Sequence, residues 1–393
     1  MKNILISSFD MEVGGVERSL VSMLNNFDYD NYNVDLMLYS HTGDFMELLP
    51  DRPNLLKEDK AYKTFRMPIK DVFKSGKIGI GLARLIAKIN ANWKLECESG
   101  YIQMQYMWKY ALPFLPNSNK EYDVAISYLW PHYYVADKVK AKKKIAWIHT
   151  DYSTIETDIN MDLKMWRKFD YIISISEECT RAFIKKYPEL KDKIRLVENI
   201  TSPDFVISRS NEIVEDDIRN ELGFKVVSTG RICYQKAFDL AVKALKELHN
   251  RGLSDIKWYV VGYGSDEGLI RELIKENNLE NSFILLGKKI NPYPYMKASD
   301  IYVQPSRYEG KAVTVTEARI LGKPTIITNY PTAKSQLTEG VDGVICDLSI
   351  EGIADGIEEL YKNVKLREKI ANNCRNIEYG NTYELNNLYK LFR

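Results

Sequence analysis

The stretch that decides the fold runs Ser306-Arg307-Tyr308-Glu309-Gly310-Lys311-Ala312-Val313-Thr314-Val315-Thr316-Glu317-Ala318. It follows a short apolar run at 301–303 and precedes an amphipathic segment closed by Leu321-Gly322-Lys323-Pro324. Gly ends helices and Pro cannot continue one, so the order is strand, loop, helix, next strand. Glu309 then stands in the loop and Glu317 a turn or so inside the helix. The helix start near Ala312, Val313 and Thr314 offers unpaired backbone N–H groups and the positive end of the dipole. Such an end is a natural seat for a phosphate. One carboxylate on each side suits a ligand with hydroxyls at both ends, such as a sugar joined to a nucleotide.

The same rhythm extends in both directions. Short Ile- and Val-rich runs fall at 3–7, 34–39, 123–127, 144–148, 171–175 and 194–197, then at 226–229, 257–261, 283–286, 301–303, 325–327 and 343–346. Runs apolar on both faces fit parallel strands covered by helices, and strand–helix alternation predicts an α/β fold. The series breaks at 201–224, where Ser202-Pro203-Asp204 is turn chemistry and the following residues are polar, so the inter-domain linker is expected there. Two doubly wound units follow, with ligands at the carboxyl ends of the strands.

Composition bounds the answer further. At 393 residues the chain is long enough for two cores, and a net charge of +1 gives no field that argues for nucleic acid. Cys97, Cys179, Cys233, Cys346 and Cys374 form no C-x-x-C pair, which argues for a reducing compartment rather than disulfides or zinc. The first residues, Met-Lys-Asn-Ile-Leu-Ile-Ser-Ser, are a strand rather than a signal peptide, and no apolar run approaches a membrane span. A cytoplasmic location is expected, with no metal and no cofactor.

Two glutamates eight residues apart, the first followed by Gly, resemble the E-x7-E motif of the family 4 retaining glycosyltransferases. Gly230-Arg231 with Lys236 resembles that family's G-R-x4-K. Gly14-Gly15-Val16-Glu17-Arg18, Ile148-His149, Ser174-Ile175-Ser176-Glu177, Tyr259 to Gly264 and Lys297-Ala298-Ser299-Asp300-Ile301 resemble further segments, in the family's order. The resemblance covers nearly the whole chain. It implies a GT-B fold, two Rossmann-like domains facing across a cleft, with the last helix crossing back to the first domain. The implied division is 1–200 for the acceptor, 206–378 for the nucleotide sugar and 379–393 for the crossing helix.

The resemblance also implies roles. Arg231 and Lys236 would neutralise the donor diphosphate and stabilise the leaving charge. Glu309 would hold the transferred sugar, Glu317 the ribose, and His149 would touch the sugar near the reaction centre. Gly310, Lys311, Ala312, Val313 and Thr314 would meet sugar and phosphate. Gly14 and Gly15 would approach the phosphates from the other domain, and the base would be read near Gly287 and Lys288. The donor, UDP-linked by family habit, is a substrate and not a cofactor; the acceptor is a saccharide or a lipid-linked one. The sequence departs from the family at Lys311-Ala312, where Phe-Gly is usual, and at Asn199-Ile200-Thr201-Ser202, a degraded form of the domain-joining pattern.

Other readings compete. Gly262-Tyr263-Gly264 suggests a nicotinamide site, but Glu267 replaces the third glycine of the fingerprint. A nucleotide-sugar epimerase would share the fold and the donor. A non-catalytic partner should have lost Arg231, Lys236 or Glu309. Asp28-Tyr29-Asp30 reads as a solvated turn, and His41, His132 and His249 as structural or exposed.

Residues 57–120 hold twelve Lys or Arg against five Asp or Glu and lack a strand rhythm, so a helical insertion is expected there. Within it Ile78, Leu82, Leu85, Ile86, Ile89 and Trp93 recur at helical spacing, flanked by Lys77, Arg84, Lys88 and Lys94. A helix packed on the core, with its cations outside, gives this pattern. So does an interfacial helix on an anionic membrane, and the five lysines between Lys138 and Lys144 form a second basic patch.

Overall fold

The computed structural model describes residues 1–92, 100–214, 216 and 218–393. Trp93, Lys94 and Cys97 of the sequence reading lie outside the described residues. The chain divides into two compact units, Met1–Ile200 with Thr382–Arg393, and Thr201–Asn381.

The first unit is built on seven parallel strands: β1 (Lys2–Ser8), β2 (Tyr32–Leu38), β3 (Asn54–Leu55), β4 (Glu121–Ser127), β5 (Lys140–Ile148), β6 (Tyr171–Ser174) and β7 (Ile194–Leu196). Their order is β3-β2-β1-β4-β5-β6-β7. The second holds six: β8 (Phe224–Thr229), β9 (Ile256–Val261), β10 (Phe283–Gly287), β11 (Ile301–Gln304), β12 (Thr325–Thr328) and β13 (Gly343–Cys346), in the order β10-β9-β8-β11-β12-β13. Each sheet reverses its winding direction once, between β1 and β4 and between β8 and β11. Loops leaving the carboxyl ends at such a point diverge to opposite faces and open a crevice.

The twelve apolar runs all become strands. The short β3 escaped notice because its two residues are both exposed and carry no burial signal. The stretch expected as a linker instead contains the helix Pro203–Arg209, capped by the Ser202 hydroxyl on the Phe205 N–H, and it belongs to the second unit. The chain passes between units at Ile200/Thr201 and Asn381/Thr382. These two passages are tied together by Asn381 Oδ1 on the Thr201 N–H at 2.7 Å and the Thr201 carbonyl on the Asn381 N–H at 3.3 Å.

The closing helix Glu384–Leu391 packs within the first unit. Tyr389 and Phe392 lie against Phe27 and Tyr32, with ring centroids 5.1–6.4 Å apart, and the Tyr389 hydroxyl accepts the Asp28 N–H at 2.8 Å. Asp28 also bonds Asn31 across the turn, which accounts for Asp28-Tyr29-Asp30. Removing an aromatic side chain of this size from a packed cluster costs about 3 kcal/mol. Tyr389→Ala is therefore expected to lower the melting temperature of the first unit by several degrees, measurable by calorimetry.

The insertion is helical, with helices Ile69–Lys74, Ile78–Asn92 and Gly100–Ala111. Of the large aliphatic residues of Ile78–Asn92, only Ile80 packs on the core. Ile80, Ala83, Ala87 and Ala91 face inward and Ile78, Leu82, Leu85, Ile86 and Ile89 face out. Arg84, expected as a flanking cation, is half-buried and donates to the carbonyls of Thr64 and Met67. The helix is apolar nearly all round, so periodicity of the large residues alone picks the wrong face.

Candidate functional site

At the reversal point of the second sheet, the loop after β8 carries Gly230 to Ala237 and the loop after β11 carries Pro305 to Ala312. Parallel pairing of β8 with β11 aligns their carboxyl ends, so residues some seventy positions apart meet. Lys236 Nζ lies 2.5 Å from Glu309 Oε1, both side chains being largely buried. The Glu309 carboxylate also accepts from Ser306 Oγ at 2.6 Å, Gln304 Nε2 at 3.3 Å and Gln235 Nε2 at 3.4 Å. Cations are disfavoured at a helix start without an anion; the anion facing Lys236, just ahead of the helix Phe238–Asn250, is Glu309. Ala237 joins the short turn Tyr234–Lys236 to that helix in the left-handed region, φ 52°, which costs a residue with a Cβ about 1–2 kcal/mol.

Arg231 is exposed and makes no ion pair among the described residues. It is a cation on the same loop as Lys236, with no counter-charge of its own among the described residues. The helix Val313–Ile320 starts beside Glu309, and the N–H groups of Val313 and Thr314 have no acceptor among the described residues. Ala312, expected to offer its N–H to a ligand, is different: its N–H donates to Gln336 Oε1 at 2.9 Å. Gln336 also donates to Gly310 O and Thr332 Oγ1, and Thr332 Oγ1 donates to Glu309 O. This side chain shapes the loop and takes one of the seats assigned to the ligand. Thr314 Oγ1 contacts Gln304 Oε1 at 3.2 Å, so its hydroxyl is engaged in the network behind Glu309.

Glu317 is buried on the helix, with Oε1 accepting from the Tyr293 hydroxyl at 2.7 Å. Lys311 is half-buried. Gly287 closes β10 with φ 73°, a conformation that favours glycine, and its carbonyl accepts the Gly262 N–H at 2.9 Å. Lys288 lies over the Tyr263 ring, 5.5 Å from its centre.

Gly262 and Gly264 have a packing explanation. A Cβ on Gly262 would stand 1.9 Å from the Gly230 carbonyl oxygen, and one on Gly264 2.1 Å from that of Ile232. They let the loop after β9 lie directly on the loop that carries Arg231 and Lys236. Sequence reasoning missed the residues that bind this assembly together: Gln235, Gln304, Ser306, Gln336 and Arg307. Arg307 forms a two-pronged pair with Asp239 at 2.6 and 2.9 Å, and its N–H donates to Gln235 O at 2.8 Å. The one trace in the sequence is polar Gln304 and Ser306 at the end of a wholly buried strand, where a polar side chain needs a partner.

His149, Gly14 and Gly15 belong to the first unit, at the carboxyl ends of β5 and β1. Both His149 ring nitrogens are buried without a hydrogen-bond partner among the described residues. The ring stacks on Trp147 and lies 4.6 Å from the Tyr128 ring. Burial pushes the imidazole down to about 3, so the ring is neutral near pH 7. His132 is likewise buried, bonded to Ser127 Oγ at 2.8 Å and packed on Trp166. Gly14 caps the helix Gly15–Asn25, and a Cβ on Gly15 would meet nothing within 4 Å. Ser176 caps the helix Glu177–Lys186 through the Cys179 N–H at 3.1 Å, which gives the S-x-S-E segment a structural role.

Residues 210–377 match the family model of group 1 glycosyl transferases. An uncharacterized glycosyltransferase of Methanocaldococcus jannaschii is 30% identical over 170 residues, which is 43% of this chain and 42% of the relative. The chain spans about half the length, 42–54%, of the first curated relatives it matches. Among solved structures, Anabaena HepE in complex with UDP and glucose aligns with TM-score 0.69 at 16% identity, covering 99% of this chain and 98% of that one. A TarM variant from S. aureus, in complex with fondaparinux, alpha-GlcNAc-glycerol and UDP, aligns with TM-score 0.68 at 15% identity over the whole of both chains. The chain thus has the GT-B fold, and its second unit carries the group 1 glycosyl transferase sequence pattern, at the place where Arg231, Lys236 and Glu309 converge.

Proposed function

We propose that the chain is a retaining, metal-independent glycosyltransferase of family 4. It moves a sugar from a nucleoside diphosphate donor to a saccharide or lipid-linked acceptor. The observation that carries this reading is the convergence of Arg231, with no counter-charge among the described residues, and the Lys236–Glu309 pair beside a helix start. Two cations and the Val313 and Thr314 N–H groups suit a diphosphate, while Glu309 suits the hydroxyls of the sugar it carries. Glu317 takes the ribose hydroxyls.

In the transfer, the bond from the anomeric carbon to the phosphate oxygen breaks and its electron pair leaves with the diphosphate. The acceptor oxygen bonds to the anomeric carbon from the same face and its proton passes to the leaving phosphate. Arg231 and Lys236 stabilise the charge that grows on that phosphate. Neutral His149, on the first unit, cannot supply a proton as an imidazolium. UDP, named in both structural neighbours, supports a uridine donor. The pathway is surface polysaccharide or glycolipid assembly, at the cytoplasmic face of a membrane.

A thermal-shift series with UDP, GDP, ADP and NAD tests the donor class. UDP at about 100 times its dissociation constant is expected to add about 2.7 kcal/mol of stability, a rise of several degrees. Arg231→Ala should abolish that rise. A shift with NAD alone, or with none of the four, would reject the reading.

A further inference from the structure

The helix Ile78–Asn92 has two apolar faces. Ile80, Ala83, Ala87 and Ala91 are buried, next to Trp108 and Ala111. The small side chains let the neighbouring helix Gly100–Ala111 approach closely. The opposite face carries Ile78, Leu82, Leu85, Ile86 and Ile89, which are 42–59% exposed. Steps of four, three, one and three residues place them on a single stripe. Exposed Phe114 adjoins Gly79, since a Cβ there would touch its ring, and extends the stripe at one end. Single exposed aliphatics are ordinary, but a continuous stripe of them is a contact surface.

Among the described residues, the charge on the two helices that carry and flank the stripe is positive. Helices Ile78–Asn92 and Gly100–Ala111 contain Arg84, Lys88 and Lys109 and no Asp or Glu. Lys70, Lys74, Lys88 and Lys109 are exposed, and Asp71, an acid among the described residues just ahead of the helix, lies 3.7 Å from Lys74. A second copy docked by a two-fold axis would set these lysines against one another. An anionic lipid leaflet satisfies both features, with the aliphatics in the acyl boundary and the lysines among the headgroups. The helix has 15 residues, short of the roughly 20 that a span needs, and no helix among the described residues is long and apolar enough to cross a membrane.

We propose that this face of Ile78–Asn92 docks on an anionic membrane surface, with the helix lying in the interfacial plane. Arg84 is not part of the contact; it anchors the helix to the carbonyls of Thr64 and Met67. The docking is independent of the transfer reaction, although a lipid-linked acceptor would be met at such a surface.

Sedimentation of the full chain with phosphatidylcholine vesicles, with and without phosphatidylglycerol, tests it. The wild type is expected to bind the anionic vesicles at least about tenfold better, an advantage that high salt erodes. The double variant Leu82→Glu with Ile86→Glu should lose that binding and keep the wild-type melting temperature, both positions being exposed. Lys74→Glu with Lys88→Glu should weaken it chiefly at low salt. No binding by the wild type, equal binding to neutral vesicles, or unchanged binding by the double aliphatic variant would overturn the proposal. A wild-type dimer in light scattering that the double aliphatic variant dissolves would overturn it too, and assign the face to a second copy.

Discussion

Lys236→Ala and Glu309→Ala will each lower turnover by about 10²–10³-fold, the scale of losing one preorganised charge at a developing anion or one substrate clamp. The structure adds a second effect. Each substitution leaves the other side chain's charge without its partner, Lys236 being 15% and Glu309 7% exposed. Breaking a fully buried pair costs about 3–5 kcal/mol, and residual solvent and the neutral donors Ser306, Gln304 and Gln235 reduce this to about 1–3 kcal/mol. Both variants should melt lower, yet stay folded at assay temperature. The two effects separate in a double-mutant cycle. Lys236→Ala with Glu309→Ala should melt higher than the sum of the single losses predicts, because neither charge is left alone, while turnover stays at the level of the weaker single variant. Wild-type turnover in either folded single variant would mean that the reaction happens elsewhere.

Gly262→Ala is the second large effect. Its Cβ would collide with a backbone oxygen at 1.9 Å, and no rotamer change relieves a backbone collision. The loop is held by Gly230 N–H on Val261 O at 3.0 Å, Ile232 N–H on Tyr263 O at 2.9 Å and Gly262 N–H on Gly287 O at 2.9 Å. It must shift as a unit and take Arg231 and Lys236 with it. A loss of about 3 kcal/mol is expected, at the upper end of overpacking costs, together with loss of the UDP-induced shift. Gly268→Ala is the control. Gly268 lies in the helix Glu267–Glu276 and a Cβ there meets nothing within 4 Å, so alanine should be neutral or stabilising by up to about 1 kcal/mol. If Gly262→Ala matches that control in melting temperature and in the UDP response, the two loops do not pack as described.

The buried parallel strands, the two-unit α/β plan and the loop positions of Arg231, Lys236 and Glu309 were legible in the chain. The reason is physical: a parallel strand covered on both faces must be apolar throughout, short and bounded by turn residues, and each of those is a local property. A helix N-terminus next to a carboxylate is local as well. The two-residue β3 left no such mark, because Asn54 and Leu55 are both exposed.

What the chain could not show are the contacts made across distance. Lys236 meets Glu309 only because the sheet reverses direction between β8 and β11 and aligns their two loops. Gln336 takes the Ala312 N–H because a later turn folds back over the glutamate loop, and no spacing rule ties position 336 to 312. The helix Ile78–Asn92 is the clearest case. Its sequence offers an alanine face and an aliphatic face, and hydrophobicity alone favours burying the larger. The neighbouring helix Gly100–Ala111 decides otherwise, since close approach of two backbones demands small side chains at the contact. The sequence by itself therefore determined which segments are strands and helices and where the charged loops fall; tertiary packing decided which side chains share a site and which face of a two-faced helix meets solvent, because both depend on what lies opposite.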